Sequence, residues 1–298
     1  MSTATAFHRV SVIVSPINGA NTIEWFLSQR YQVSSDSVEF YVEVARGGEG
    51  VWTRLNPSTP VTDTNVYVDL TSYNSSIKND LYYRVVMVDG LDTITSMSAG
   101  VTGSLTGPER RIIMEVLRRK YLQLRHRTGQ PGYLLRKREW GTPCTCIDPD
   151  TGVPATQSCP LCYGAGILGG YYPPIPFFME MLEQTPVQLS VDDVTPRELT
   201  VKQKALCICY PSIWPRDLWV SADTGERFLV DGEIKPEVSV RSTVAIQAVT
   251  LELLPPGRPQ YDVQITEDQL EGPPGWGKDV TFIPLSTSLD GEQQSDGP

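Results

Sequence analysis

The sequence predicts a mainly β chain with one basic α-helix and one four-cysteine metal-binding segment, on three observations. Glycine and proline number 24 each in 298 residues, a load that suits short strands and long loops better than helical bundles. Short β-branched and aromatic runs bounded by turn residues recur in both halves of the chain. Four of the six cysteines, Cys144, Cys146, Cys159 and Cys162, form a C-x-C and a C-P-x-C separated by twelve residues.

Residues 8–104 read as seven strands: Val10–Val14, Thr22–Leu27, Val38–Ala45, Trp52–Leu55, Val66–Leu70, Leu81–Val88 and Thr93–Val101. Pro16-Ile17-Asn18-Gly19, Gly47-Gly48-Glu49-Gly50 and Asp89-Gly90 supply turns between them. Seven strands in under a hundred residues predict an independent β-sandwich over 1–104. Thr106-Gly107-Pro108-Glu109 is a capping box with proline in the first turn, and it opens a helix. Ile113, Leu117, Tyr121 and Leu124 recur at helical spacing, flanked by Ile112 and Val116, while arginines cover the remaining surface. The helix ends near Arg127-Thr128-Gly129. Gly132–Trp140, which carries Arg136, Lys137 and Arg138, then reads as a strand leading into the first cysteine pair, in a segment spanning 105–172.

Paired thiolates one or two residues apart can hold one ion from a single tight turn, and two such turns complete a tetrahedral Zn(Cys)4 site. The second pair, Cys159-Pro160-Leu161-Cys162-Tyr163-Gly164-Ala165-Gly166, resembles half of the C-x-x-C-x-G-x-G knuckle of J-domain chaperones, which implies backbone N–H groups turned toward sulfur. Two disulfides, or cysteines that only pack, are the competing readings. The sequence shows no signal peptide and no apolar run long enough to span a membrane, which predicts a reducing cytoplasm and favours zinc. Four protein ligands close the coordination sphere, so the expected Zn2+ is structural.

Gly169-Gly170-Tyr171-Tyr172-Pro173-Pro174 reads as a linker. A second all-β region over 173–263 has strands at Val187–Val191, Ala205–Tyr210, Leu218–Val220, Arg227–Val230 and Thr243–Leu254, with a hairpin turn at Asp223-Thr224-Gly225. Cys207 and Cys209 share a strand face, as core residues or an extra half-site. Residues 264–298 carry seven acidic side chains against Lys278 and read as an extended arm, in which Trp276, Phe282 and Ile283 are candidate docking anchors.

Net charge is −10, yet residues 107–140 alone hold ten Lys/Arg against three Glu. Such a segment suits an acidic partner, protein or nucleic acid, or else is a solvated face. The acidic remainder of the chain, and the lack of aromatics interleaved with the arginines, favour protein docking through Arg110, Arg111, Arg118 and Arg119. No nucleophile with its base and no phosphate loop occurs, and the only histidines are His8 and His126, so no enzyme is expected. Asp148-Pro149-Asp150-Thr151-Gly152 reads as a turn rather than a cation site.

The N-terminal region resembles fibronectin type III modules. Trp25 stands at the second-strand tryptophan, Phe40-Tyr41-Val42-Glu43-Val44 at the third strand, and Tyr83-Arg84-Val85-Val86-Met87-Val88-Asp89-Gly90 at the sixth. The corner tyrosine falls at Leu81, with Tyr82 as its substitute. Taken in order, this module, the helix beginning Pro108-Glu109-Arg110-Arg111, the Trp140-Gly141-x-x-Cys144 entry, the knuckle running to Pro174 and a small β-barrel resemble a class of tailed-bacteriophage virion proteins. Pro215-Arg216-Asp217-Leu218-Trp219-Val220, followed by Thr224-Gly225-Glu226-Arg227-Phe228-Leu229-Val230, is similar to the hairpin of head-completion and stopper proteins. The resemblance implies a structural protein of the virion, assembled in the host cytoplasm as a ring in the head-to-tail neck. Its implied partners are copies of itself and virion proteins on the portal or tail side; DNA lies near without sequence-specific binding, and neither a membrane nor a small-molecule substrate is implied. A baseplate or fibre-attachment adaptor and a zinc-ribbon nucleic-acid-binding protein are the alternatives.

Overall fold

A computed structural model describes residues 6–14, 20–28, 38–47, 50–62, 64–69, 81–100, 107–148, 158–185, 201–241 and 243–265. The first strands are β1 (Phe7–Val14), β2 (Asn21–Leu27), β3 (Val38–Arg46), β4 (Thr53–Arg54), β5 (Val66–Asp69), β6 (Leu81–Asp89), β7 (Asp92–Thr95) and β8 (Ala99–Gly100). They form two antiparallel sheets, one in the order β1-β2-β5 and the other β4-β3-β6-β7, with β8 also paired to β6. Alternate residues point into the space between the sheets. There Val38, Phe40 and Val42 of β3 and Tyr83, Val85 and Met87 of β6 meet Ile23, Trp25 and Leu27 of β2 in one core. The expected seventh strand is split in two at Ser96, whose Oγ accepts from the Val85 N–H (2.9 Å) and donates to the Met97 carbonyl (2.9 Å).

Helix α1 (Gly107–Gln123) runs into a π-helical turn, Leu124–Thr128. It stops where the sequence predicts, because the Gly129 N–H closes on the Leu124 carbonyl at 3.0 Å and a Cβ on Gly129 would lie 2.4 Å from that oxygen.

The remaining strands are β9 (Gln130–Leu135), β10 (Ile175–Thr185), β11 (Lys202–Ile208), β12 (Leu218–Ser221), β13 (Arg227–Val240) and β14 (Thr243–Leu253). They close into a six-stranded antiparallel barrel in the ring order β10-β11-β14-β13-β12-β9. Closure removes both sheet edges, which is how a small all-β unit avoids pairing with strangers. The barrel is not confined to 173–263, since β9 lies ahead of the cysteines. β10 occupies a stretch in which no strand was expected, the Pro173-Pro174 pair before it and Pro176 within it having hidden the pattern. The expected strand at Val187–Val191 lies outside the described residues, as does the chain beyond Ile265. Inside the barrel the fully buried Trp219 lies against Gly132, where a Cβ would come within 2.4 Å of the indole. The Trp219 Nε1–H donates to the Phe177 carbonyl at 3.3 Å.

The helix belongs to the barrel. Ile113, Leu117 and Leu124 join the barrel's core, and α1 touches β11, β13 and β14. Lys120 Nζ donates to Glu180 Oε2 on β10 at 2.5 Å, and Tyr121 meets Phe178 edge-on with ring centroids 6.4 Å apart. The sandwich, expected to be a separate unit, shares its core with the cysteine segment. Trp140 and Tyr172 are buried in it, the Trp140 ring lying 4.7 Å from Phe40 and 5.1 Å from Tyr172.

Candidate metal centre

Strands β9 and β10 are neighbours in the barrel, with Leu134 opposite Ile175, so the chain between them leaves and re-enters the barrel as one excursion. Its two legs are laddered. Tyr172 N–H donates to Arg136 O (2.8 Å), Arg138 N–H to Gly170 O (2.9 Å), Leu168 N–H to Thr142 O (3.0 Å) and Cys144 N–H to Gly166 O (2.9 Å). The ladder brings the two cysteine pairs to the same end. There each pair sits in a tight turn, closed by Ile147 N–H on Cys144 O (3.0 Å) and by Tyr163 N–H on Cys159 O (2.8 Å). The second turn needs left-handed backbone, with φ of 52° at Tyr163, 79° at Gly164 and 90° at Gly166. At Gly170, φ is 64° and a Cβ would sit 2.7 Å from the Cys162 carbonyl, so only glycine lets the returning leg pass.

The four ligand sulfurs lie within 4.8 Å of one another. Cys144 Sγ is 3.7 Å from Cys159 Sγ, and Cys146 Sγ is 3.3 Å from Cys162 Sγ. Zn–S bonds of about 2.3 Å in a tetrahedron place sulfurs about 3.8 Å apart, whereas a disulfide holds them at about 2.05 Å. The spacing therefore fits a shared ion, and all six cysteines are free thiols. Cys144, Cys159 and Cys162 are buried and Cys146 partly so. Backbone N–H groups of Leu161 and then Cys162 point at the Cys159 sulfur and pull its thiol down to about 6. A hydrogen bond with Cys162 pushes Cys146 the other way. Four neighbouring sulfurs cannot all ionise unaided, and a bound dication removes that conflict by taking all four as thiolates.

The centre is pinned to the barrel. Arg216 donates to the Gly164 carbonyl (3.2 Å), the Gln260 amide to the Tyr163 carbonyl (2.9 Å) and Arg258 to Ser158 Oγ (3.2 Å). Cys207 is fully buried, its thiol raised by burial and donating to the Gln247 carbonyl at 3.7 Å; burial likewise takes Cys209 to about 12. Neither belongs to the cluster.

The ten basic residues of 107–140 do not form one surface. Arg111, Arg118, Arg119 and Arg127 are exposed on the helix, whereas Lys120 is tied to β10 and Arg136 is buried. The Arg110 side chain and the candidate anchors Trp276, Phe282 and Ile283 lie outside the described residues.

A second polar cluster went unread in the sequence. Glu24 on β2 and Arg136 after β9 are both buried, with Arg136 Nη2 3.9 Å from Glu24 Oε2 and the guanidinium carbon 5.1 Å from the Phe26 ring centroid. Ser212 donates to Glu24 through its N–H and its hydroxyl. Asp217 accepts from the N–H groups of Lys137 (2.9 Å) and Trp214 (2.8 Å). Thr22 Oγ1 and the Tyr210 hydroxyl share a hydrogen bond of 2.9 Å, and Phe26 and Trp214 lie 4.5 Å apart. This cluster joins sandwich to barrel. Its only sequence signal was charge at strand-like positions, Glu24 within β2 above all.

The sequence matches no protein-family model and no curated protein.

Proposed function

We propose that this chain is a structural protein of a tailed-bacteriophage virion, a ring subunit of the head-to-tail neck, with one structural Zn2+ held by Cys144, Cys146, Cys159 and Cys162. The observation that carries the reading is the order of its parts. The two antiparallel sheets, β1-β2-β5 and β4-β3-β6-β7, support the fibronectin type III part of this reading. Tyr83 of β6 ties the two sheets together, its hydroxyl donating to Asp69 Oδ2 on β5 at 2.7 Å and accepting from Asn21 Nδ2 on β2 at 2.9 Å. These sheets lead through an arginine-bearing helix and the four-cysteine cluster to a small closed barrel whose β12–β13 hairpin turns at Gly225, with φ 70°. Two β-units joined by buried side chains, with an arginine-rich helix face left exposed, suit a subunit that works by docking.

Two measurements test the two parts of the reading. Elemental analysis should return one zinc per chain; less than about half an equivalent removes the zinc assignment. Gold-labelled antibody against the full chain, imaged on particles of the phage that encodes it, should mark the head–tail junction. Label on the baseplate or fibres selects an adaptor instead, and particles without label overturn the virion reading.

A further inference from the structure

The outward face of α1 combines features that a solvated helix does not need. At 100° per residue, Arg111, Ile112, Glu115, Arg118, Arg119 and Leu122 fall within an arc of roughly 120°, opposite the buried stripe of Ile113, Leu117 and Leu124. Arg118 and Arg119 have side chains 64% and 78% exposed. Ile112 is 56% and Leu122 41% exposed, so two aliphatic side chains stand in water on either side of the arginines. Arginine beside exposed aliphatic surface is the composition of a protein interface rather than of a phosphate-binding track.

We infer that this face receives the acidic C-terminal arm, residues 266–298, of a neighbouring copy of the same chain. The chemistry matches in both respects. The arm carries seven acidic residues against Lys278, and it offers Trp276, Phe282 and Ile283 as the apolar groups that Ile112 and Leu122 lack. The lengths also match: Ile112 to Leu122 is a rise of about 15 Å, and the six steps from Trp276 to Phe282 extend to at most about 22 Å. The ring-subunit reading supplies the second copy as the partner. Tyr261, Val263 and Ile265 pack on the cluster that includes side chains of β9 and β12, whereas α1 lies on β11, β13 and β14 and reaches β10 through Lys120. A basic face on one copy matched to an acidic arm on the next makes a head-to-tail contact, the kind that closes into a ring when the rotation allows. The inference deepens the ring-subunit reading and rests on it for the neighbour, though not for the chemistry of the face.

The test uses the full-length chain with the photo-crosslinking residue p-benzoylphenylalanine in place of Phe282. Isotopically light and heavy copies are mixed, irradiated and mapped by mass spectrometry. The expected products join position 282 to residues 111–122 and carry mixed isotopes, which identifies them as contacts between copies. Arg118→Glu with Arg119→Glu should cut their yield at least about fivefold, and 0.5 M salt should lower it in the unsubstituted chain. Crosslinks confined to one copy, crosslinks elsewhere on the barrel or sandwich, or a yield unchanged by the reversal each overturn the inference. So does duplex DNA bound to this face in place of the arm. Rings in the virion without arm–helix crosslinks would sink this inference alone, and the crosslinks in a protein absent from particles would sink the virion reading alone.

Discussion

The barrel and the excursion between its strands β9 and β10 are held together by different means. The barrel encloses a continuous apolar core that includes Leu134, Phe177, Met179, Trp219, Phe228 and Leu251. The excursion has a buried cluster of Cys144, Cys159 and Cys162 with Cys146 packed against it. Its two ends are anchored by side chains that belong to the sandwich core, Trp140 and Tyr172. Sulfur therefore does for the tip of the excursion what hydrocarbon does for the barrel, and the two should fail independently.

Metal removal gives the largest expected effect. A structural Zn2+ contributes on the order of 10 kcal/mol to the segment that binds it. Chelation, or Cys159→Ser, should raise amide hydrogen exchange over 141–170 to the rate of an open chain, while amides beside Leu134 and Trp219 keep their protection. Simultaneous loss of barrel protection would show that the two regions share one source of stability.

Trp140→Ala probes the anchor between them. Truncating a buried tryptophan costs about 3–5 kcal/mol, and here the cavity opens against Phe40 and Tyr172. The expected loss appears in denaturant unfolding of the sandwich, read through exchange at Phe40 and Val42, although residue 140 lies far outside the seven-strand region. A sandwich whose unfolding midpoint does not move would restore the independent unit that the strand pattern suggests.

That contrast also marks what was legible in the sequence. The cysteine spacing, the seven strand positions and the end of the helix were readable because each is decided by residues close together: two thiols on one turn, β-branched runs between turns, and Gly129 closing on Leu124. The barrel's membership was not. β9 and β10 lie on either side of the cysteines, and the stretch ending in Pro173 and Pro174 reads as a linker until Ile175 and Pro176 are seen paired with Leu134 and Tyr133. Trp140 in the sandwich core and Arg136 beside Glu24 are long-range facts that no local period encodes. Arg136 was counted with a basic run from which burial removes it.

The junction should respond to pH through Asp217. Burial raises its carboxyl from an ordinary 3.8 to about 6, outweighing the Arg136 charge and the N–H groups of Lys137 and Trp214 that favour ionisation. The folded state therefore binds this proton more tightly than the unfolded chain does. The stabilisation it gives is complete below about pH 4 and is lost as pH rises from about 4 through about 6, an effect on the order of 3 kcal/mol. Subtracting the Asp217→Asn variant isolates it from the other carboxylates. The difference in unfolding free energy between pH 4 and pH 7 should shift by that amount, the unsubstituted chain gaining relative stability in acid. Parallel pH profiles for the two proteins would mean that the carboxylate is as comfortable at the junction as in water.

The smallest effect belongs to the outward face of α1, and its contrast with the inward face is the point. Arg118 and Arg119 pair with Glu115 at 4.0 and 2.6 Å, on side chains that water surrounds; such pairs are worth a few tenths of a kcal/mol. Reversing both to glutamate should change the unfolding free energy of the isolated chain by no more than about 0.5 kcal/mol. On the other side of the same helix, Lys120 meets Glu180 with side chains only 11% and 19% exposed. Lys120→Glu leaves two carboxylates facing each other out of water and should cost several-fold more, about 3 kcal/mol. Equal costs for the two changes, measured by the same denaturant titration, would mean that the arginine face is already engaged within the monomer and has nothing left to offer a neighbour's arm.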